Sequence, residues 1–337
     1  MSGVPQSAGP DLSVLIAGVR LKNPVIAASG CFGYGGEYGG ILDVSALGGL
    51  CTKGLTLRPR PGNRGERLHE TPAGLLNSIG LENPGIEEFL EKELPRMKSL
   101  GPVLIANLSG GDIGEYAEGA GLLDRSEVDM IELNISCPNV RSGGMAFGLD
   151  GEAAAAVTGA VRRAAAHKPL MVKLSPNAPD LAAVARACAA AGADAFSLVN
   201  TFKAMAIDTA RRRPVFDNVS AGLSGPAIRP MALRMVWELY GALRNPDSMN
   251  HGRPKGGAEC RDGGGSIKGA GALPIVGMGG IACANDALEF LMAGSTAVQV
   301  GSATFARPPS MIEIIAGIGE YMRSRGLKTM AELNIRN

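Results

Sequence analysis

The sequence has few aromatic residues and almost no excess of either charge. Aromatic residues account for 4% of the 337 residues, with one tryptophan, while 33 basic and 32 acidic residues leave a net charge of +1. A nucleic-acid-binding surface needs a basic face and aromatic side chains that stack on bases, so this composition argues against one. The hydrophobic content of 45% also argues against a disordered chain.

Metal-binding, disulfide and membrane patterns are also missing. The six cysteines form no CxxC pair and no ladder of short spacings, so no zinc knuckle, iron–sulfur cluster or disulfide framework is indicated, and a reducing compartment is expected. No apolar run reaches about 18 residues, and no basic residue precedes the short apolar run near the start. We therefore predict a cytoplasmic protein without a metal site or a membrane span.

What the sequence does have is a regular alternation of short apolar runs with segments suited to helices. The runs are nearly continuous in apolar residues, as strands buried on both faces require. Eight strands are predicted, at residues 25–29, 49–53, 103–108, 130–135, 170–174, 195–200, 274–278 and 297–301. Helices are predicted at residues 86–100, 152–167, 181–191, 230–243, 285–293 and 309–325.

Eight strands with helical returns predict an α/β fold, a single (β/α)8 TIM barrel in which residues 1–337 form one domain. The main alternative, an open doubly wound sheet, would need a GxGxxG fingerprint after an early strand, and none follows the first three strands. Residues 12–22 are predicted to form a hairpin ahead of the first barrel strand. We expect this hairpin to cover the bottom of the barrel.

One glycine-rich segment interrupts the alternation. Residues 245–272 contain eight glycines and two prolines without apolar periodicity, which predicts a flexible surface insertion at the bottom face of the barrel. A bland insertion is favoured over a loop that docks a partner. His251 and Cys260 within it are too isolated to indicate a metal site.

Polar residues and glycines stand where the predicted strands end. Barrel enzymes carry their chemistry at these C-terminal ends, and a purely structural barrel has no need of buried amides or ammonium groups there. We therefore expect a polar ligand at this rim. The residues are Ser29, Lys53, Asn107, Asn134, Lys173, Asn200, the pair Gly279 and Gly280, and the pair Gly301 and Ser302.

Two features of this rim are more specific. The glycines after strands seven and eight stand where barrels commonly bind a phosphate. Lys53 and Lys173 end apolar strands and need negatively polarised partners. Such a partner could be a cofactor ring, a substrate carboxylate or, as the structural alternative, a salt bridge.

A cysteine follows the fourth predicted strand. Cys137 precedes a proline and a glycine-containing loop that could open and close as a lid. Its thiol could be a nucleophile or a proton acceptor. Because no histidine lies near it in the sequence, a Cys–His hydrolase is disfavoured and a thiol acting alone as acid or base is favoured.

Nine segments together match the motifs of one enzyme family. They are residues 23–30, 52–56, 70–81, 134–139, 173–177, 199–201, 205–208, 222–228 and 277–280. With them the chain resembles the catalytic subunit of the class 1B dihydroorotate dehydrogenases over nearly its whole length outside the first dozen residues and the insertion. The resemblance implies a TIM barrel that binds one FMN and oxidises (S)-dihydroorotate to orotate in the de novo synthesis of UMP.

The resemblance also implies roles for individual residues. Cys137 would take the C5 proton of dihydroorotate, while the C6 hydride would pass to N5 of FMN. The implied substrate-binding residues are Lys53, Asn77, Ser78, Ile79, Gly80, Leu81, Asn134, Asn139, Asn200 and Thr201. The implied FMN-binding residues are Ser29, Lys53, Gly54, Asn107, Asn134, Lys173, Val199, Gly225, Gly279, Gly280, Gly301 and Ser302.

Family members of this class work with a second subunit that carries FAD and a [2Fe-2S] cluster and passes electrons to NAD. The resemblance implies such a partner, because this chain has neither a dinucleotide fingerprint nor cysteines spaced for a cluster, and it implies a homodimer within a heterotetramer. The sequence departs from the family pattern at Ala221, where a glycine is usual, in the turn at 202–204 and in the insertion. The turn bears on how the substrate edge is held, and the insertion bears on subunit docking.

Alternatives to this interpretation differ in acceptor or substrate. The same barrel could be a class 1A enzyme that uses fumarate without a partner subunit, and a related flavin enzyme acts on dihydropyrimidine bases. Activity of the isolated chain with fumarate, or turnover of uracil, would distinguish them. An RNA-modifying barrel that forms dihydrouridine would need a basic face and an RNA-binding domain. A barrel kept only as a scaffold would have an eroded polar rim.

Overall fold

The computed structural model describes residues 9–136, 147–244 and 273–336 of the chain. These residues begin with an antiparallel hairpin of β1 (Val14–Ile16) and β2 (Val19–Leu21) and continue into a closed parallel barrel. Cys137, Asn139 and the predicted insertion at 245–272 lie outside the described residues. Among the described residues, no helix is both long enough and apolar enough to cross a membrane.

The predicted (β/α)8 TIM barrel is confirmed. Each strand pairs in parallel with the next, and the last pairs with the first to close the ring. The eight predicted strands are found, with ends that differ by at most two residues. They are β3 (Val25–Ala27), β4 (Gly49–Cys51), β7 (Val103–Leu108), β8 (Met130–Asn134), β9 (Leu170–Lys173), β10 (Ala195–Leu198), β15 (Ile275–Met278) and β16 (Ala297–Val300).

Helices surround the barrel, and each of the predicted helices is present. A π-helical turn (Phe89–Glu93) joins the first two into one continuous segment. The helices are α1 (Ile86–Glu88), α2 (Leu94–Ser99), α3 (Ile113–Asp124), α4 (Gly151–Ala164), α5 (Leu181–Ala190), α6 (Arg229–Arg244), α7 (Ala284–Met292), α8 (Ala303–Ala306) and α9 (Ser310–Arg325).

Helix α3 was not predicted, because three glycines weaken its helix propensity. Its start carries a signal nonetheless, since the carboxylate of Asp112 caps the helix by accepting a hydrogen bond from the N–H of Glu115 at 2.9 Å. Gly119 is required by packing, because a Cβ there would lie 2.7 Å from a methyl group of Ile86. Helix propensity alone therefore fails to predict a helix in which close packing requires glycine.

The hairpin closes the N-terminal end of the barrel, as predicted. Ile16 and Leu21 are fully buried and pack in one apolar cluster with Ile26 and Met130 from the barrel interior. The turn uses left-handed backbone at Ala17 and Gly18. The hairpin therefore acts as a hydrophobic plug whose burial stabilises the fold.

A second sheet lies outside the barrel and was not predicted. It is antiparallel in the order β11 (Phe202–Ala204), β14 (Ala221–Ser224), β6 (Gly74–Asn77) and β5 (Leu68–Thr71), and a two-stranded ribbon joins β12 (Ile207–Asp208) to β13 (Arg213–Pro214). Its strands come from the connections that follow β4 and β10, so it stands at the C-terminal end of the barrel. The short, partly exposed strands lack the apolar runs by which the barrel strands were found.

The inside of the barrel changes from apolar to polar along the strands. Along five of the strands, two buried residues that face inward are separated by one residue. The first of each pair is apolar and the second is polar. With the residue nearer the hairpin first, the pairs are Ile105 and Asn107, Met130 and Glu132, Met171 and Lys173, Ala195 and Ser197, and Ala297 and Gln299. The polar half of the interior leads directly into the functional site.

Candidate functional site

A cavity of about 490 Å³ opens at the C-terminal end of the barrel. Residues at the strand ends and residues of the second sheet both line it. The predicted site residues among its lining are Ser29, Lys53, Gly54, Asn77, Ser78, Ile79, Gly80, Leu81, Asn107, Asn134, Lys173, Asn200 and Thr201. The fold thus brings together side chains from both halves of the chain.

Lys173, the last residue of β9, lies at the closed end of this cavity and is only 4% exposed. Its Nζ donates a hydrogen bond to Oγ of Ser29 at 3.0 Å. Ser29 follows β3, which stands opposite β9 in the ring of eight strands. The lysine side chain therefore reaches across the barrel, with its charge at the cavity wall.

Glu132 supplies the counter-charge for this buried ammonium group. Its Oε2 lies 3.6 Å from Nζ of Lys173 and accepts a hydrogen bond from Nδ2 of Asn107. Burial acts to raise the pKa of Glu132, but the charge of Lys173 and the hydrogen bonds from Ser197, Gln299 and Asn107 outweigh it and lower the pKa below its ordinary value. The carboxylate is therefore charged at neutral pH. The sequence prediction missed Glu132, although the alternation in β8 puts it on the same inward face as Asn134.

A chain of hydrogen bonds runs from Glu132 along the cavity wall. Asn107 accepts a hydrogen bond from Nδ2 of Asn134 at 3.3 Å, Asn134 accepts one from Oγ of Ser136 at 2.7 Å, and Ser136 accepts one from Nδ2 of Asn200 at 2.6 Å. This chain fixes the amide groups at the ends of β7, β8 and β10 relative to one another. Amides held in this way can donate to and accept from a planar polar ligand.

The second sheet supplies another wall of the cavity. Asn77 in β6 donates to the carbonyl oxygen of Gly222 in β14 at 3.1 Å. A Cβ at Gly222 would lie 2.1 Å from Oγ1 of Thr201, so only glycine allows Thr201 to approach so closely. Ser78, next to Asn77, accepts a hydrogen bond from Nδ2 of Asn63 at 3.0 Å. The sheet therefore fixes residues that sequence reasoning could assign only by family resemblance.

Lys53 contributes a second positive charge to the cavity lining. Within the described ranges its Nζ makes no hydrogen bond and no ion pair shorter than 4 Å. Its charge acts on Glu82, whose pKa is lowered first by the hydrogen bond from Arg67 and then by the charges of Lys53 and Arg67. Lys53 can therefore direct its donors at a bound anion.

The other residues that were predicted to bind the cofactor are not part of the cavity lining. Gly280 packs against Gly225, since a Cβ at Gly280 would lie 2.8 Å from the carbonyl oxygen of Gly225, and Val199 is the neighbour of Gly279 at 3.3 Å from a Cβ built there. Gly225, Gly279 and Gly280 all have positive φ angles. Gly301 and Ser302 follow β16, the neighbour of β15 in the ring. Val199 and Gly225 are buried, while the segments at 279–280 and 301–302 are half-buried and stand at the strand ends where a phosphate was expected.

A thiol that sequence reasoning missed also lines the cavity. Cys31 lies two residues after Ser29, and burial raises its pKa to about 11 while the charge of Lys173 opposes that rise. It therefore stays protonated at neutral pH. Among the described residues, no group of three or more His, Cys, Asp or Glu side chains could hold a metal ion.

Comparison with known proteins gives a consistent result. The sequence model of the family described as dihydroorotate dehydrogenase matches residues 11–246 and 268–322. The chain is 50% identical over 323 residues to a Petrotoga mobilis protein named dihydroorotate dehydrogenase B (NAD(+)), catalytic subunit, which covers 96% of this chain and 98% of that protein. A Geotalea daltonii protein of the same name is 48% identical over 327 residues, covering 97% and 98% of the two chains.

Proposed function

Because this chain belongs to the dihydroorotate dehydrogenase family, we propose that it oxidises (S)-dihydroorotate to orotate in the de novo synthesis of UMP, as a class 1B catalytic subunit. The observation that carries the proposal is the convergence of Lys53, Lys173 and a hydrogen-bonded set of amides on one cavity. Dihydroorotate carries a carboxylate and a ring edged with amide-like groups. Both features match this lining in charge and in hydrogen-bonding capacity.

The residues at the closed end of the cavity fit an FMN group. The ammonium group of Lys173, which lines the cavity, suits the electron-rich edge of a flavin, and the glycine segments at 279–280 and 301–302 stand at the strand ends where barrels commonly bind a phosphate. Bound FMN would supply the acceptor for the hydride that leaves C6 of the substrate. In the proposal the remaining contacts come from Ser29, Lys53, Gly54, Asn107, Asn134, Val199 and Gly225.

The substrate would lie against the amide-lined wall. Asn134 and Asn200 are already fixed by the hydrogen bonds of Ser136, and Asn77 and Thr201 are fixed by the second sheet. Groups held before the ligand arrives lose little freedom on binding, which favours orientation of the ring. Lys53 would bind the carboxylate. The backbone and side chains of residues 78–81, together with Asn139, would complete the contacts.

We assign the removal of the C5 proton to Cys137. A thiol has an ordinary pKa of about 8.5, which suits proton transfer near neutral pH. Cys31, the described thiol in the cavity lining, is a poor base because its pKa is about 11 and it holds its proton too firmly. The assignment to Cys137 therefore rests on the family motif, in which a cysteine holds this position.

The names of the relatives include NAD(+) and the words catalytic subunit. We propose that this chain passes its electrons to NAD through a partner subunit that carries FAD and a [2Fe-2S] cluster, in a cytoplasmic heterotetramer built on a homodimer. We also propose that residues 1–337 form a single domain. The electron acceptor is tested by assaying the isolated chain with dihydroorotate and fumarate. Turnover without a partner subunit would indicate the class 1A alternative.

The reaction is tested under anaerobic conditions with the FMN-loaded chain. Addition of dihydroorotate should bleach the oxidised-flavin absorbance, and Cys137→Ser should slow the bleaching by about a hundredfold or more. Cys283→Ser is the matched control, since Cys283 is an exposed cysteine at the start of α7, and it should bleach as the native protein does. A flavin that dihydroorotate does not bleach would refute the assignment and redirect the search to dihydropyrimidines.

A further inference from the structure

A buried carboxylate in the middle of the barrel has no role in the motifs considered so far. Glu132 is fully buried, and the interior of a TIM barrel is normally filled by branched aliphatic side chains. An ion pair in such a place is commonly no more stabilising than well-packed apolar residues of similar volume. Stability alone therefore gives little reason for a glutamate at this position.

The two oxygens of this carboxylate face different surroundings. Oε1 accepts hydrogen bonds from Ser197 and from Nε2 of Gln299, both at 2.7 Å. Oε2 accepts from Asn107 and from Sγ of Cys51, the latter at 3.4 Å, and lies 3.6 Å from Nζ of Lys173. One oxygen thus anchors the group in the barrel wall, and the other holds two residues of the cavity.

Glu132 is the ion-pair partner of Lys173 among the described residues. The hydrogen bond that Lys173 donates on the cavity side goes to the neutral hydroxyl of Ser29 and offers no counter-charge. Among the described residues, the titratable groups that interact with Lys173 are Glu132, Cys31 and Cys51. Burial raises the pKa of both thiols, so Glu132 is the group that offers a negative charge at neutral pH.

We infer that Glu132 is a positioning residue for the flavin end of the barrel, which supplies the counter-charge of Lys173 and holds its ammonium group beside Ser29. It acts through Lys173 and touches neither flavin nor substrate. The inference rests on the proposed binding of FMN. Its physical content is that a charged donor binds the electron-rich edge of a flavin more strongly than a neutral amine does.

The test is the affinity of the apoprotein for FMN as a function of pH, measured by quenching of flavin fluorescence. Glu132→Gln keeps the shape of the side chain and removes its charge. Oε1 of Gln299 has no hydrogen-bond partner within the described residues, so the amide of Gln299 can turn and accept from the new glutamine. The variant can therefore keep its hydrogen bonds and its fold.

Glu132→Gln leaves the ammonium group of Lys173 buried without a counter-charge, so FMN binding should become more sensitive to a rise in pH. We expect the Kd for FMN to lie within about threefold of the native value at pH 6 and to be about tenfold or more weaker at pH 9, while the native Kd follows a flatter course. A structural role alone would shift the thermal stability without creating this pH dependence.

The matched control is Asp194→Asn. Asp194 accepts hydrogen bonds from Arg162 and from the N–H of Leu170, both at 2.8 Å, at the opposite end of the barrel. This change also replaces a carboxylate by its amide beside a cation, and its FMN binding should follow the native pH profile. Glu132→Asp, which keeps the charge, should also keep the flat profile and serves as the readout if the glutamine variant does not fold.

The outcomes separate the two claims. Parallel pH profiles for the native protein and Glu132→Gln, or a steep profile for Glu132→Asp, would overturn the role of Glu132 while leaving the proposed function intact. Failure of the native apoprotein to bind FMN at any pH would overturn the proposed function and this inference together.

Discussion

The two ends of the barrel are formed by the same eight strands and have opposite character. At the N-terminal end the hairpin buries Ile16 and Leu21 against an apolar layer. At the C-terminal end, two residues further along the strands, Glu132 and Lys173 lie among amides and hydroxyl groups. The change occurs over about 7 Å of strand, since two residues advance a strand by that distance.

This difference separates stability from chemistry. Burial of the apolar hairpin side chains stabilises the fold and leaves no polar side chain without a partner, so the N-terminal end can hold the barrel together. The C-terminal end contains charged groups and amides whose burial destabilises the fold unless each has a hydrogen-bond partner. The hydrogen-bond chain from Glu132 to Asn200 supplies these partners. Variants at the two ends should therefore change different measurements.

The largest effect is expected at the polar end, from Lys173→Met. It leaves the carboxylate of Glu132 buried without its cation, which should lower the free energy of unfolding by about 3 to 5 kcal/mol in urea titrations. Adding Glu132→Gln should recover most of this loss but not the affinity for FMN. The control is Lys98→Met, which breaks an exposed ion pair with Glu127 and should change stability by less than about 1 kcal/mol. Equal losses for Lys98→Met and Lys173→Met would contradict the assignment of a buried pair.

At the apolar end, Ile16→Ala should destabilise the protein and spare its chemistry. Removing this fully buried side chain should cost about 2 to 5 kcal/mol in urea unfolding, while the rate at which dihydroorotate bleaches the flavin of the folded protein stays within about twofold. Leu15→Ala is the control in the same hairpin, because Leu15 is 60% exposed, and it should cost less than about 0.5 kcal/mol. A slowed reaction in Ile16→Ala would mean that the two ends are coupled.

A smaller effect is expected where the second sheet meets the cavity. Gly222→Ala pushes a methyl group toward Thr201 and should raise the KM for dihydroorotate by about tenfold, with a stability loss of about 1 to 3 kcal/mol. In Gly40→Ala the new methyl group meets nothing within 4 Å, so both quantities should stay near their native values. An unchanged KM in Gly222→Ala would show that the contact between Gly222 and Thr201 does not matter to the substrate.

The smallest effect concerns acid stability. The pKa of Glu132 is lowered in the folded protein, so its contribution is complete above its ordinary pKa of 4.5 and is lost as the pH falls through the lower folded value. Glu132→Gln lacks this contribution at every pH. The difference in urea midpoint between the native protein and the variant should therefore be largest at pH 7 and shrink below pH 4.5. A difference that stays constant down to pH 3 would assign the titration to other groups.

The sequence predicted the barrel better than it predicted the parts added to it. Buried parallel strands are nearly continuous apolar runs, so all eight were found, and the hairpin and its position were predicted correctly. Helix α3 was missed because its glycines serve close packing, and the second sheet was missed because its strands are short and partly exposed. Family membership, predicted from the motifs, is confirmed by the comparisons.

At the site, the sequence by itself determined which residue types stand at the strand ends, because the end of a buried strand is readable from where its apolar run stops. It could not determine which of them share a contact. Closure of the barrel brought Lys173 into contact with Ser29 across the ring and placed Glu132 beside Lys173. The second sheet brought Gly222 against Thr201. The physical reason is that these contacts join residues distant in the sequence, and only packing fixes the distances between them.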